Sequence, residues 1–207
     1  MACKLCEVRK PRRYCPGVNG EICPQCCGNE RERTVDCPLD CPYLVESRVH
    51  EKLPDIDENQ IPQRDLQIKE EFVEKHAPLI TMLAQAMFGT WLENPSIVDN
   101  DIKEALDAMA RTYKTRESGL IYDTRPTNPY AAALVQRMQG AVEEFERRAR
   151  EATGMTVLRD ADVLGVTVFL QRVEFSHNNG KPRGRAFLSF LAQSFPPAEQ
   201  ESSLIQA

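Results

Sequence analysis

The chain has 207 residues, a net charge of −5, 42% hydrophobic residues and 28% charged ones. That length suits one domain, or a small module joined to a medium one, and the composition is that of an ordinary globular protein rather than a disordered one. The net charge excludes a global attraction to nucleic acid or an anionic membrane, and no apolar run approaches the ~18 residues that a membrane helix needs.

All eight cysteines lie between Cys3 and Cys41. The opening Met-Ala-Cys-Lys-Leu-Cys has no hydrophobic stretch behind a basic start, so the expectation is a cytoplasmic protein with reduced thiols. Clustered cysteines in that setting point to metal rather than disulfides. Their spacing is C-x2-C at Cys3 and Cys6, a single Cys15, C-x2-C-C at Cys23, Cys26 and Cys27, and C-x3-C at Cys37 and Cys41. Short pairs suit a tight turn that aims two thiolates at one tetrahedral ion about 2.3 Å away. Cys23-Pro24-Gln25-Cys26, with Gly28 after it, matches the zinc-knuckle pattern C-P-x-C-G with one cysteine inserted. Pro24 fixes φ at the turn, and Gly28 would permit a positive φ where amides face the sulfurs.

Sixteen residues separate Cys6 from Cys23, within the C-x2-C-x15–20-C-x2-C class of zinc sites. Cys3, Cys6, Cys23 and Cys26 are therefore expected to form one site, and Cys15, Cys27, Cys37 and Cys41 a second. Adjacent Cys26 and Cys27 cannot easily face one ion but can serve two. A leader of about 45 residues buries too little apolar surface to fold alone, whereas structural zinc supplies roughly 10–16 kcal/mol of apparent binding energy. The alternatives are one zinc with four spare thiols, an iron–sulfur cluster, and disulfides.

These spacings resemble the cross-braced zinc fingers of the treble-clef, RING, MYND, HIT and B-box class. The resemblance covers about a fifth of the chain. It implies zinc binding and a docking role, but the chain lacks a Cys-x-His-x-x-Cys centre and any histidine among the eight ligands, so ubiquitin ligase activity is not implied. The overall layout is also similar to uncharacterised bacterial proteins with a Cys-rich N-terminus and a helical remainder.

Residues 1–50 carry eight Lys/Arg against seven Asp/Glu, a local charge of +1, against −6 for the rest. Arg9, Lys10, Arg12 and Arg13 crowd the loop between Cys6 and Cys15. They are either a solvated finger loop or an anion contact. Tyr14 beside them is expected in the core, with base stacking the alternative.

Residues 46–64 read as a linker, with Pro54, Pro62 and a polar run. Helical periodicity begins at Asp65 and passes through Val73, Ala77, Ile80 and Ala84, with Pro78 predicting a kink or two abutting helices. A second helix is expected to start near Asp99–Asp101, with Asp101 and Glu104 as a capping box. A third starts at Asn128-Pro129 and stops at Gly154. Residues 160–175 fit a helix, but Val166, Val168 and Leu170 also alternate like a strand, and Asn179-Gly180 is a hairpin signal; helix is favoured. Lys181, Arg183 and Arg185 lie in a turn before a last short helix over 183–195, whose N-terminus could attract an anion. Residues 196–207 read as a tail. His50 is a weak candidate ligand, His76 is expected on a packed face, and His177 exposed.

The fold expected is mainly α: a helical bundle over 65–195 behind a two-zinc module over 1–45. No Ser-His-Asp, HExxH or paired-carboxylate pattern stands out, so the chain is read as a non-enzymatic adaptor or regulator that docks a protein. Nucleic-acid binding through Arg9, Lys10, Arg12, Arg13, Arg183 and Arg185, and thiol redox sensing by Cys15 or Cys27, are the alternatives. The cofactor expected is two zinc ions. No membrane partner is expected, and the oligomeric state is left open.

Overall fold

The structure is a computed structural model that describes residues 2–51, 57–154 and 158–196. It is mainly helical, with a small Cys-rich unit at the N-terminus. Strands β1 (Arg13–Cys15) and β2 (Gly20–Ile22) form an antiparallel hairpin in which Cys15 faces Gly20. Helices α1 (Pro24–Glu30) and α2 (Pro42–His50) follow. Each begins with Pro immediately after a cysteine, because a missing N–H costs nothing at a helix start.

The bundle consists of α3 (Glu70–Glu93), α4 (Asp99–Glu117), α5 (Pro129–Thr153), α6 (Asp160–His177) and α7 (Ala186–Ser194). Helix α4 packs on α5 and α6, and α3 packs on α5, α6 and α7. Leu83, Met87, Leu106, Met109, Leu134, Val166 and Phe187 meet in one buried core. Burial of each such side chain contributes about 1.5–3 kcal/mol. Cys3, Cys15, Ile22, Val35, Cys37 and Leu44 form a separate small core in the N-terminal unit. No helix among the described residues is long and apolar enough to cross a membrane.

Several local expectations hold. The Asn128 side chain accepts from the Tyr130 amide at 3.0 Å, Pro129 opens α5, and Gly154 closes it at φ 72°. Residues 160–177 are helix, not hairpin. The neighbouring helices supply an apolar surface on several sides, so Val163, Val166, Val168 and Leu170 are all buried. Asn179-Gly180 is the turn after α6.

Other expectations are corrected. Of the two alternatives at Pro78, a pair of abutting helices is excluded, because α3 runs through Pro78 as one element. Helix α4 starts at Asp99, within the expected range, but the Asp101 carboxylate accepts from the Val98 amide at 2.8 Å. Asp101 thus occupies the third helical position instead of the cap. His177 is not exposed, since its ring lies 4.0 Å from that of Phe190. The expected linker is partly helical, because α2 reaches His50. Further on, Arg172 donates to the carbonyls of Pro62, Gln63 and Leu66, which ties that stretch to α6. The expected tail lies outside the described residues beyond Pro196.

The N-terminal unit is joined to the bundle through Glu32, which is completely buried. Its carboxylate accepts from Arg48 at 2.8 Å, Asn179 Nδ2 at 2.9 Å and the Arg185 amide at 3.0 Å, with Lys181 Nζ at 3.5 Å. Its carbonyl accepts from the Arg183 amide at 2.9 Å. Burial alone would raise the Glu32 carboxyl, but Arg48, the Arg185 amide and Lys181 outweigh it and hold the group below its usual range. A buried carboxylate surrounded by donors from both units acts as a rivet between them.

Candidate metal centre

Cys3 and Cys6 sit on the turn before the β-hairpin, and Cys23 and Cys26 at the start of α1. The ligand atoms of these four residues all lie within 4.8 Å of one another. Four sulfurs around a tetrahedral ion at about 2.3 Å stand about 3.8 Å apart, so the cluster has the size a metal requires.

The local chain is built to face amides toward sulfur. Cys23 N–H donates to Cys3 Sγ at 3.2 Å, and Cys26 N–H donates to Cys23 Sγ at 3.4 Å. Glu7, not Gly28, supplies the positive φ beside a cysteine pair, at 56°. Gly28 lies inside α1, because the second pair continues directly into a helix.

Burial would raise the Cys3 thiol, but the amides of Cys23, Cys6 and Leu5 outweigh it and bring Cys3 down to about 6. The Arg9 and Val8 amides lower Cys6. Burial and the crowding of Cys23, Cys6 and Cys3 push Cys26 up to about 12. Four thiols so close cannot all ionise unaided, and a cation among them removes that conflict.

Cys15, Cys27, Cys37 and Cys41 do not approach one another within the same distance. They nevertheless line one enclosed cavity, together with Ile22, Val35 and Leu44. Cys26 faces the first cluster while Cys27 faces this cavity, where Arg13 and Arg31 each donate to Cys27 Sγ at 3.6 Å. Burial raises the Cys37 thiol, and nearby Glu32, Cys15 and Cys41 add to the rise. Gly17 holds the Cys15 and Cys37 loops together, because a Cβ there would run into the Asp36 carbonyl. His50 is exposed at the end of α2 and belongs to neither group.

The basic residues divide. Arg9, Lys10 and Arg12 are exposed, and Tyr14 is 54% exposed rather than buried in the core. Arg13 stacks 4.3 Å from the Tyr43 ring centroid. Arg185, expected as an anion contact, is instead 3% exposed. It donates to the carbonyls of Ile97, Cys37 and Pro95 and to Asp36, which leaves it nothing to offer a phosphate. Arg183 pairs with Asp36 at 2.5 Å. The anion expected at the start of α7 is supplied internally, since Asp99 accepts from the Phe187 and Leu188 amides at 2.9 and 3.0 Å.

The Glu32 rivet and the Arg185 staple were missed by sequence reasoning. Apart from Arg48, their partners come from segments 88 to 153 positions away, and a single Glu in "NERERT" carries no mark of burial. The available signal was the density of Arg and Lys in "NNGKPRGRAF", which reads as an interhelix turn before a helix start that could attract an anion.

No protein family, curated protein or solved structure matches this chain.

Proposed function

We propose that the chain is a non-enzymatic zinc protein whose N-terminal unit carries two thiolate sites and serves as an adaptor or regulator docking another protein. The observation that carries this reading is the four-sulfur cluster of Cys3, Cys6, Cys23 and Cys26. An all-thiolate shell suits zinc in a closed structural site and leaves no open position for a substrate. The second ion would take Cys15, Cys27, Cys37 and Cys41, which share one cavity and close onto it as the ion binds. A turn, a hairpin and a helix that supplies the second cysteine pair resemble the treble-clef arrangement. The adaptor role is supported by exposed apolar side chains at Val8, Val45, Val49 and the Leu120-Ile121-Tyr122 loop.

The test is pull-down from a lysate with zinc-loaded and chelated protein. Partners retained only in the loaded state support the adaptor reading. A hydrolase activity abolished by one non-cysteine substitution would overturn it.

A second reading is favoured by the exposure of Arg9, Lys10 and Arg12 on the loop before β1 and of Tyr14 on β1 itself. That surface suits phosphates with a stacking base. Affinity for single-stranded nucleic acid falling steeply with salt, and lost on replacing the three cations, would support it. Binding unchanged by those replacements would remove it.

A further inference from the structure

Arg13 and Arg31 reach the same sulfur from different elements. Arg13 lies on β1 and Arg31 directly follows α1, yet each donates to Cys27 Sγ at 3.6 Å. The Arg13 guanidinium is held there by stacking 4.3 Å from the centroid of the Tyr43 ring, at the start of α2. Two like charges drawn to one atom repel each other unless an anion stands between them. A neutral thiol is too weak an acceptor to fill that place. Among the described residues neither arginine has a carboxylate partner, whereas Arg48, Arg183 and Arg185 are paired with Glu32 and Asp36.

Cys15, Cys27, Cys37 and Cys41 line one cavity with both arginines. A coordinated thiol is deprotonated, so four of them around a divalent ion leave two negative charges in excess. Charge removed from water is costly unless it is paired. The two guanidiniums cancel that excess one for one. The first cluster is served differently: the sulfurs of Cys3 and Cys23 accept from the backbone amides of Cys23 and Cys26, which carry no net charge.

We infer that Arg13 and Arg31 are the counter-ions of the second metal site, and that Cys27 is the ligand through which they neutralise it. This rests on the two-site reading above. Arg13 then belongs to the metal centre rather than to the basic loop of Arg9, Lys10 and Arg12. Retention of the second ion depends on side-chain charge, and retention of the first does not.

The test is zinc competition against a chromophoric chelator on the full, metal-loaded chain. Cysteine alkylation mapped by mass spectrometry shows which ion leaves. The Arg13→Gln, Arg31→Gln double variant is expected to release one ion about tenfold more readily or beyond, as replacing an outer-shell partner of a metal ligand does. Cys15, Cys27, Cys37 and Cys41 should become reactive while Cys3, Cys6, Cys23 and Cys26 stay protected. The Arg13→Lys, Arg31→Lys variant restores both charges without the fork and should recover most of the loss. A double Gln variant that holds both ions like the parent overturns the inference. Equal loss from the Gln and Lys variants, or loss of both ions together, overturns it too. A parent chain that carries a single ion overturns the two-site reading and the inference with it.

Discussion

Replacing Glu32 with Ala tests whether the Cys-rich unit and the bundle are one cooperative structure. The substitution removes the acceptor for Arg48, Asn179 and the Arg185 amide and leaves Arg48 and Lys181 beside a hole. Breaking a buried ion pair from one side costs about 3–5 kcal/mol, because the remaining charge stays desolvated. That is a large share of the roughly 5–15 kcal/mol that holds a domain folded. The backbone offers no relief, since Glu32 sits at φ 55°, a conformation as unfavourable for Ala as for Glu. For a chain of this size the expected drop in melting temperature is about 6–20 °C. The assay follows helix loss by circular dichroism and zinc release by a chromophoric chelator on the same sample. Both transitions should move down together. A variant within about 1 kcal/mol of the parent, or one in which zinc release shifts while the helices melt unchanged, would refute the reasoning.

Three further outcomes follow from the same contacts. Arg185→Met removes the donors that four acceptors use and should cost about 2–5 kcal/mol in chemical denaturation; a loss below about 1 kcal/mol would show those bonds are not holding the seam. Gly17→Ala drives a Cβ into the Asp36 carbonyl, so the chelator assay should find the ion proposed for Cys15, Cys27, Cys37 and Cys41 released first, with the other retained. Glu174 is buried and pushed up to about 7 by that burial, against about 4.3 in the unfolded chain. The folded state therefore binds its proton more tightly, and this group's contribution to stability falls as pH rises from about 4.5 to 7. Glu174→Gln should flatten that slope and gain up to about 3 kcal/mol at pH 8, while Asp99, also raised to about 7 by burial, keeps a residual slope. An unchanged pH profile would contradict the assignment.

What could be read directly from the sequence was local chemistry. Asn128, Pro129 and Gly154 mark α5 because a cap, a fixed φ and a positive φ each act within one or two residues. The cysteine pairs expose the first cluster because a turn brings thiols together only at short spacing. The start of α4 was legible to within two residues, but the role of Asp101 was not, because it can serve at the cap or at the third helical position and local sequence does not choose. The fate of Arg183 and Arg185 was illegible for another reason. A cation in a Gly-rich turn looks solvated until Asp36, Ile97 and Glu32 arrive from distant segments. Long-range burial of charge is a property of packing and leaves no periodic trace.

X-ray absorption spectroscopy at the metal edge, with metal quantified per chain, tests the central claim most directly. The account predicts two zinc ions per chain, each surrounded by four sulfurs at about 2.3 Å, with one ion lost in a Cys3→Ser, Cys6→Ser double variant. Protein isolated without chelator that carries no metal, yet shows protected amides from Cys3 to Cys41, would contradict it.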